Sequence, residues 1–502
     1  MNANLYALFE SHFPREPAQP CMMLPGGPVI HYDELAAWSA RIANALVGVG
    51  CRPGDRVAVQ TDKVWQAIAL YLGCLRAGLV YLPLNTAYQR AELRFFFDDA
   101  KPRVVVCRPE ILGVVATLCG DAHVLTLDAN GGELMDRAAG AADTFATVES
   151  APSDLAAILY TSGTTGRSKG AMLSHRNLAS NALALVDAWG FTGDDVLLHA
   201  LPIYHVHGLF VAVHCTLLAG ARMLWLSRFD AREVAELLPM ATVMMGVPTY
   251  YTRLLGEPAF TRERAVRLRL FVSGSAPLLP ETFDAFKART GHAILERYGM
   301  TETGMIASNP LDGPRVAGTV GRPLHGVEVR IVAEGETRGA GVVGNVEVRG
   351  PNVFAGYWNL PEKTREDFTD DGWFRTGDVG ELLADGEAAG FLRLVGRAKD
   401  LIITGGLNVY PKEVEDRLDR LPGVAESAVI GVPDADFGES VVAVVVPRAS
   451  ATLSERDIVQ ALRGEIASFK IPKRVFVVDE LPRNAMGKVQ KNVLRATYGT
   501  SP

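Results

Sequence analysis

The first part of the chain alternates between helix-type and strand-type hydrophobic patterns. Residues 33–46 place apolar side chains at helical spacing, which predicts an amphipathic helix. Short apolar runs that predict buried strands lie between helix-like segments, at residues 56–60, 103–107, 242–247 and 268–273. This alternation predicts an α/β fold with crossover connections and largely parallel sheets.

The pattern changes from about residue 310, where Gly and Pro become frequent. Brief alternating runs at 327–332 and 344–349 predict a smaller β-rich subdomain. Two strands, at 428–432 and 441–446, and a helix at 455–467 predict a final α+β unit. We therefore expect a large N-terminal domain, residues 1–396, made of stacked α/β subdomains plus a β-rich subdomain, and a small mobile α+β C-terminal domain, residues 397–502.

Length, charge and cysteine usage narrow the class of protein. A chain of 502 residues exceeds what one hydrophobic core supports. Its net charge of −7 argues against nucleic acid as the main partner, and its six cysteines show no paired metal-ligand spacing. The N-terminus lacks the pattern of a secretory signal, and the most apolar stretches contain Arg or His. We expect a cytoplasmic protein with no membrane partner.

The segment Tyr160–Gly170 has the composition of a phosphate-binding loop. It contains several hydroxyl side chains, three glycines and Lys169, between an apolar run and a predicted helix that begins at His175. Glycines let backbone N–H groups approach an anion, hydroxyls donate to its oxygens, and a lysine adds a charge-assisted contact. The order of residues differs from the Walker pattern, so the loop is a different phosphate cradle.

This loop resembles the signature of the adenylate-forming superfamily, which includes acyl-CoA synthetases, luciferases and peptide-synthetase adenylation domains. Companion motifs of that superfamily follow in order: Leu201–His205, Ser273–Pro277, Tyr298–Glu302, Thr376–Asp378, Gly396–Asp400 and Pro482–Lys488. The resemblance covers essentially the whole chain. It implies an AMP-forming acid–thiol ligase that uses ATP, Mg²⁺ and coenzyme A.

The resemblance assigns roles residue by residue. Glu302 would hold magnesium, Thr301 would contact the α-phosphate, and Lys488 would bridge the acyl carboxylate and the α-phosphate, with His205 as the fourth catalytic residue. The implied ATP and AMP contacts are Thr161, Ser162, Gly163, Thr164, Thr165, Lys169, Ser273, Gly274, Ser275, Ala276, Glu296, Arg297, Tyr298, Gly299, Thr301, Asp378, Arg397 and Lys488.

The same resemblance implies that the C-terminal domain rotates between the two half-reactions. Lys399 would be the hinge, and Gly405 and Gly406 would line the channel for the pantetheine of coenzyme A. Acetylation would remove the charge of Lys488, so a lysine acetyltransferase and a deacetylase are expected partners.

The acid is predicted from the segment after Gly246. Arg253, one helical turn after Thr249, offers a buried guanidinium for a second carboxylate. Within the superfamily the chain most resembles the malonyl-CoA synthetases, which implies malonate, and also methylmalonate, as substrate. His205, Val206, His207 and Met305 would complete the pocket.

Alternatives stay open at this point. Arg253 could instead pair on the helix surface with Glu257, four positions on. The acid could be another short-chain or an aryl acid. The chain could also load a carrier protein, act as a luciferase-like oxidase, or bind without catalysing.

Overall fold

The computed structural model describes residues 2–16, 18–161, 168–405, 407–434, 436–449, 451–463, 465–484 and 487–499. Its α-helices are α1 Leu5–Glu10, α2 Tyr32–Gly48, α3 Trp65–Arg76, α4 Arg90–Ala100, α5 Leu112–Ala116, α6 Glu133–Ala139, α7 His175–Ala188, α8 His214–Ala219, α9 Ala231–Leu237, α10 Pro248–Leu255, α11 Arg262–Ala265, α12 Pro280–Thr290, α13 Pro361–Asp367, α14 Pro411–Leu418, α15 Glu455–Leu462 and α16 Lys491–Tyr498.

The strands are β1 Pro20–Met23, β2 Val29–His31, β3 Arg56–Gln60, β4 Val80–Pro83, β5 Val104–Cys107, β6 His123–Thr126, β7 Leu155–Thr161, β8 Lys169–Ser174, β9 Val196–His199, β10 Arg222–Trp225, β11 Val243–Gly246, β12 Leu270–Ser273, β13 Leu295–Met300, β14 Gly304–Ser308, β15 Arg322–Pro323, β16 Glu328–Ala333, β17 Glu336–Arg338, β18 Gly344–Arg349, β19 Phe374–Leu382, β20 Leu392–Arg397, β21 Ile402–Thr404, β22 Leu407–Val409, β23 Val424–Asp434, β24 Gly438–Pro447 and β25 Arg474–Val477. A π-helix covers His207–Val213.

The chain divides into two compact units. The first comprises Met1–Glu328 and Val348–Phe374, and the second comprises Val329–Glu347 and Arg375–Pro502. A large N-terminal and a small C-terminal part, both of mixed α and β structure, agree with the predicted fold class. The predicted boundary between residues 396 and 397, and the mobility of the C-terminal domain, stay predictions.

Two sheets carry the first unit. One has the strand order β6-β5-β3-β4-β7-β8, and the other has the order β15-β14-β13-β12-β11-β9-β10-β1-β2. The pairs from β10 through β9, β11 and β12 to β13 are all parallel, which confirms the predicted parallel character. The predicted helix at 33–46 is α2, whose start is fastened by a hydrogen bond from the His31 N–H to Glu34.

The second unit contains two smaller sheets. One has the order β17-β16-β18-β19-β20, and the other has the order β22-β21-β24-β23, with β25 added beside β24. The predicted helix at 455–467 is shorter than expected, because Arg463 already has an extended conformation (φ −66°, ψ 127°). In the sequence a glycine follows at position 464, and glycine is a poor helix former.

No helix in the described part of the chain is both long enough and apolar enough to cross a lipid bilayer.

Candidate active site

The carboxyl ends of four parallel strands define one edge of the nine-stranded sheet. Strand β11 ends at Gly246, opposite Ser273 of β12, and Ser273 in turn lies opposite Glu296 of β13. The loops that leave parallel strands at one edge bring distant sequence segments together, and such edges are where open α/β sheets bind ligands. The motifs at 201–205, 273–277 and 298–302 meet here for that reason.

The loop after β9 is held by an unusually close turn. A Cβ atom at Gly208 would lie only 2.0 Å from the carbonyl oxygen of Pro202, so only glycine fits there. The π-helix His207–Val213 begins at the same point, and π-helical turns are frequent at functional sites. The turn thereby fixes His205 and His207 at the start of this helix.

His205 and His207 lie beside a buried arginine on β13. Arg297 is 4% exposed, and its Nε and Nη2 atoms have no hydrogen-bond partner among the described residues. Burial lowers its pKa to about 9, with Tyr251 acting in the opposite direction. A buried cation with unused donors is costly unless a ligand pairs with it, so Arg297 marks this pocket as an anion site.

Both histidines are neutral at pH 7. Burial, and then the charge of Arg297, lowers the pKa of His205 to about 4 and that of His207 well below its usual value. His207 Nδ1 lies 3.4 Å from Ser275 Oγ, while His207 Nε2 and His205 Nδ1 are buried without partners among the described residues. The pocket therefore combines one cation with neutral imidazoles.

The segment after β12 packs tightly on the same arginine. A Cβ atom at Gly274 would lie 2.4 Å from Arg297 Cζ, so glycine is needed for the guanidinium to occupy this position. Ser273 is fully buried and its hydroxyl lacks a partner within the described residues, whereas Ser275 adopts φ +72°, which is rare for a residue other than glycine. Unused buried polar groups beside a strained residue are typical of a ligand site.

The turn between β13 and β14 carries Thr301 and Glu302. Asn181 of α7 fastens Met305, three residues further on, because its side chain accepts from Met305 N at 2.9 Å and donates to Met305 O at 2.8 Å. Glu302 is 6% exposed, and its Oε1 accepts a hydrogen bond of 3.2 Å from the phenol of Tyr357. The carboxylate is therefore held in a fixed orientation.

The base of the phosphate loop is fastened at both ends. Tyr160 donates to Asp99 Oδ2 at 2.6 Å, and the Trp358 N–H donates to Gly170 O at 2.7 Å. Lys169 Nζ lies 4.1 Å above the ring of Tyr357 and 3.7 Å from Asp367. Ser162, Gly163, Thr164 and Thr165 lie outside the described residues.

The second unit groups the remaining predicted residues among themselves. Arg397 Nε lies 2.7 Å from Asp378 Oδ1. Desolvation, and then the charge of Arg397, lowers the pKa of Lys488, while Asp378 opposes this shift. Desolvation likewise lowers the pKa of Lys399. Gly405 is exposed, and Gly406 lies outside the described residues.

Arg253 is not buried, contrary to the expectation from the sequence. Tyr251 and Leu254 form the buried face of α10, and the helical repeat turns Thr252 and Arg253 away from that face, where both are exposed. No ion pair between Arg253 and Glu257 occurs in the described part of the chain, so the surface pair is absent as well. The assignment of Arg253 to the acid stays a prediction.

The remaining predicted pocket residues are placed as follows. Val206 and Met305 are buried, as are Glu296 and Tyr298, while Ala276 and Thr301 are half-buried. The sequence reasoning missed Tyr357 and Asp367. The sequence of Gly356–Asn359 contains an aromatic pair, Tyr357 and Trp358, but this composition indicates packing rather than chemistry.

Comparison with known proteins shows the family of the chain. Residues 9–358 match the model of the AMP-binding enzyme family, and residues 413–488 match the AMP-binding enzyme C-terminal domain. The chain therefore belongs to the AMP-binding enzyme family. The predicted enzyme class, an AMP-forming acid–thiol ligase, is confirmed at this level.

Within this family, the chain is similar to proteins named as malonate–CoA ligases and to the solved structure of MatB. The chain is 55% identical to MatB from Rhodopseudomonas palustris in its ATP-bound crystal structure, with a TM-score of 0.97 over 100% of this chain and 99% of that one. It is 40% identical to the mitochondrial malonate–CoA ligase of Mus musculus, over 92% of this chain and 86% of the relative. It is 36% identical to the malonate–CoA ligase of Arabidopsis thaliana, over 89% and 79%.

Proposed function

We propose that this chain adenylates malonate with ATP, releases pyrophosphate, and then transfers the malonyl group to coenzyme A. The observation that carries the choice of acid is Arg297, a buried guanidinium with two unused donors beside His205 and His207. We assign Arg297 to the second carboxylate of the acid rather than to the nucleotide. The relatives named as malonate–CoA ligases support the same acid.

Charge pairing is what selects a dicarboxylate here. A bound carboxylate would supply the acceptor that Arg297 lacks, in the planar geometry that guanidinium groups prefer. A monocarboxylate would leave the guanidinium buried and unpaired, at a cost of about 1.5 to 3 kcal/mol or more. Acetate and butyrate should therefore be poor substrates. Methylmalonate carries the same two carboxylates, and we propose it as a second substrate.

The neutral state of His205 and His207 is compatible with selection of a dicarboxylate by Arg297. Because His205 and His207 do not carry charge at pH 7, they add hydrogen-bonding nitrogens near Arg297 without competing for the carboxylate as cations. We assign His205 to contact with the acid and its reacting carboxyl group. Val206 and Met305, which are buried, bound the space available to the chain of the acid.

The residues around Glu302 fit a magnesium ion that accompanies ATP. No cluster of three or more acidic, His or Cys ligands occurs among the described residues, whereas magnesium commonly takes one or two carboxylates plus substrate phosphates. Glu302 supplies one such oriented carboxylate. When bound, the ion would neutralise phosphate charge; Glu302 would hold it and Thr301 would donate to the α-phosphate.

Lys488 has an electrostatic role in this proposal. The acid carboxylate and the α-phosphate are both anions, and a cation placed where charge develops lowers the barrier to their reaction. The predicted rotation of residues 397–502 about Lys399, the pantetheine channel at Gly405 and Gly406, the cytoplasmic location and the control of Lys488 by an acetyltransferase and a deacetylase stay predictions. Charge removal at Lys488 would slow adenylation.

The test is to vary the acid and follow both half-reactions. We expect malonate to support exchange of labelled pyrophosphate into ATP and formation of an acyl-CoA, with methylmalonate next and acetate, butyrate and cinnamate far behind. Equal or better turnover of any of these monocarboxylates would contradict the proposal. Exchange without an acyl-CoA product, but with loading of a carrier protein, would favour the adenylation-domain alternative.

A further inference from the structure

A short segment between β18 and α13 pairs with β8, the strand that follows the phosphate loop. The Met172 N–H donates to Gly356 O at 2.9 Å and the Trp358 N–H donates to Gly170 O at 2.7 Å, so residues 356–358 pair with β8. Strand β8 begins at Lys169, the last basic residue of the loop. Tyr357 lies between these two hydrogen bonds, opposite Ala171 of β8.

Tyr357 contacts two groups of the phosphate end through different parts of one side chain. Its hydroxyl donates to Glu302 Oε1 at 3.2 Å, and its ring faces Lys169 Nζ at 4.1 Å. The ring is 3% exposed. A hydrogen bond fixes a carboxylate, and a ring face attracts an ammonium group through its quadrupole.

We propose that Tyr357 is a positioning residue that sets Glu302 and Lys169 as one unit for the metal-bound triphosphate. This rests on the proposed function only in that the nucleotide is ATP with a divalent cation. Tyr357 itself is not assigned a contact with the substrate.

The surroundings of Tyr357 are suited to this role. Burial, and then the charges of Glu302 and Asp367, raises the pKa of its phenol well above the usual value, so the hydroxyl keeps its proton and acts as a donor. Asp367 lies 3.7 Å from Lys169 Nζ and 2.9 Å from Lys363 Nζ. The negative charges of Glu302 and Asp367 both favour the protonated phenol.

The backbone of Tyr357 is fastened independently of its side chain. Its N–H donates to Thr364 Oγ1 at 2.9 Å, which links it to α13, the helix that carries Asp367. The position of Tyr357 therefore does not depend on its contacts with Glu302 and Lys169, and its side chain can fix the positions of these two groups. Substitutions at the hydroxyl and at the ring should therefore have separable effects.

The experiment measures binding of α,β-methylene ATP, which the enzyme cannot cleave, by calorimetry with Mg²⁺ and with EDTA. For Tyr357→Phe we expect about five- to tenfold weaker binding with Mg²⁺ and less than twofold change in EDTA, because only the hold on Glu302 is lost. For Tyr357→Leu we expect a larger loss with Mg²⁺ than for Tyr357→Phe, and at least threefold weaker binding in EDTA, because Lys169 loses the ring in both conditions.

Tyr6→Phe is the matched control. Tyr6 is another buried tyrosine whose hydroxyl donates to a carboxylate, that of Glu10 at 3.2 Å, and its variant should bind the nucleotide as the wild type does in both conditions. Unchanged magnesium-dependent binding in Tyr357→Phe would overturn the proposal, and so would a loss of equal size in EDTA. If Tyr357→Leu fails to fold, the result for Tyr357→Phe alone tests the proposal, because this variant keeps the ring and loses only the hydroxyl.

The acid does not enter this measurement, so a wrong choice of acid cannot change its outcome. In the full reaction Tyr357→Phe should need a higher Mg²⁺ concentration for half-maximal pyrophosphate exchange, while its rate of CoA transfer from supplied acyl-adenylate stays within twofold of wild type. Equal slowing of both half-reactions would indicate a structural role and contradict the proposal.

Discussion

Two arginines near the predicted acid pocket differ in their surroundings. Arg297, on β13, is buried with unused donors near two neutral histidines, while Arg253, on α10, is exposed. A buried guanidinium without a protein partner is unstable unless a ligand completes it, whereas an exposed one is solvated by water. The difference lies in burial and in missing partners, which motif spacing does not reveal, and on that basis we propose Arg297 rather than Arg253 as the anchor for an anion.

The largest expected effect is that of Arg297→Gln. Loss of one partner of a buried charge pair costs about 2 to 4 kcal/mol, so kcat/KM for malonate should fall roughly 30- to 1,000-fold. The fall for butyrate should be much smaller, since butyrate has no second carboxylate. Steady-state kinetics with both acids would measure this. Arg269→Gln, which removes a partner of Asp195 away from this pocket, is the control; an equal fall for both acids would contradict the assignment.

Gly274→Ala should have the next largest effect. The added Cβ would lie 2.4 Å from Arg297 Cζ and would displace the guanidinium. We expect about a tenfold loss of kcat/KM for malonate, since a displaced anchor keeps part of its attraction. Gly48→Ala serves as control because nothing lies within 4 Å of its added Cβ. A variant of Gly274 with wild-type kinetics would show that the position of Arg297 does not matter.

The pH dependence of stability tests whether His207, in the predicted acid pocket, is buried and neutral in the folded protein. Because the folded-state pKa of His207 lies well below that of an ordinary histidine, the unfolded chain binds more protons once the pH falls below about 6.5, and stability decreases from there downward. His207→Gln should remove about 1 kcal/mol of the stability lost between pH 7 and pH 5.5. Urea unfolding at the two pH values measures it. The control is His123→Gln, at an exposed histidine, and an equal change in both variants would argue against the buried imidazole.

Arg253→Gln should have the smallest effect. An exposed guanidinium contributes at most about 1 kcal/mol to binding, so kcat/KM for malonate should change no more than about fivefold, with the ratio of malonate to acetate turnover unchanged. Steady-state kinetics with malonate and acetate would measure both quantities. A loss as large as that of Arg297→Gln would reverse the comparison and restore the assignment made from the sequence.

Local patterns determined much of this molecule in advance. The helical stripe of α2, the apolar runs of β3 and β18 and the order of the six companion motifs depend on residues near one another in the chain, and the structure and the family match agree with them. Hydrophobic periodicity and turn chemistry act over a few residues, so the sequence alone carries this information.

Only the tertiary structure decided which arginine is buried. Both arginines occur in motif-like segments, but α10 buries Tyr251 and Leu254 and so turns Arg253 outward, while parallel pairing of β13 with β12 brings Arg297 against Gly274. Tyr357 is a similar case, because its contacts with Glu302 and Lys169 join residues 55 and 188 positions apart. Burial and contact across such separations depend on the packing of whole sheets, which no local pattern encodes.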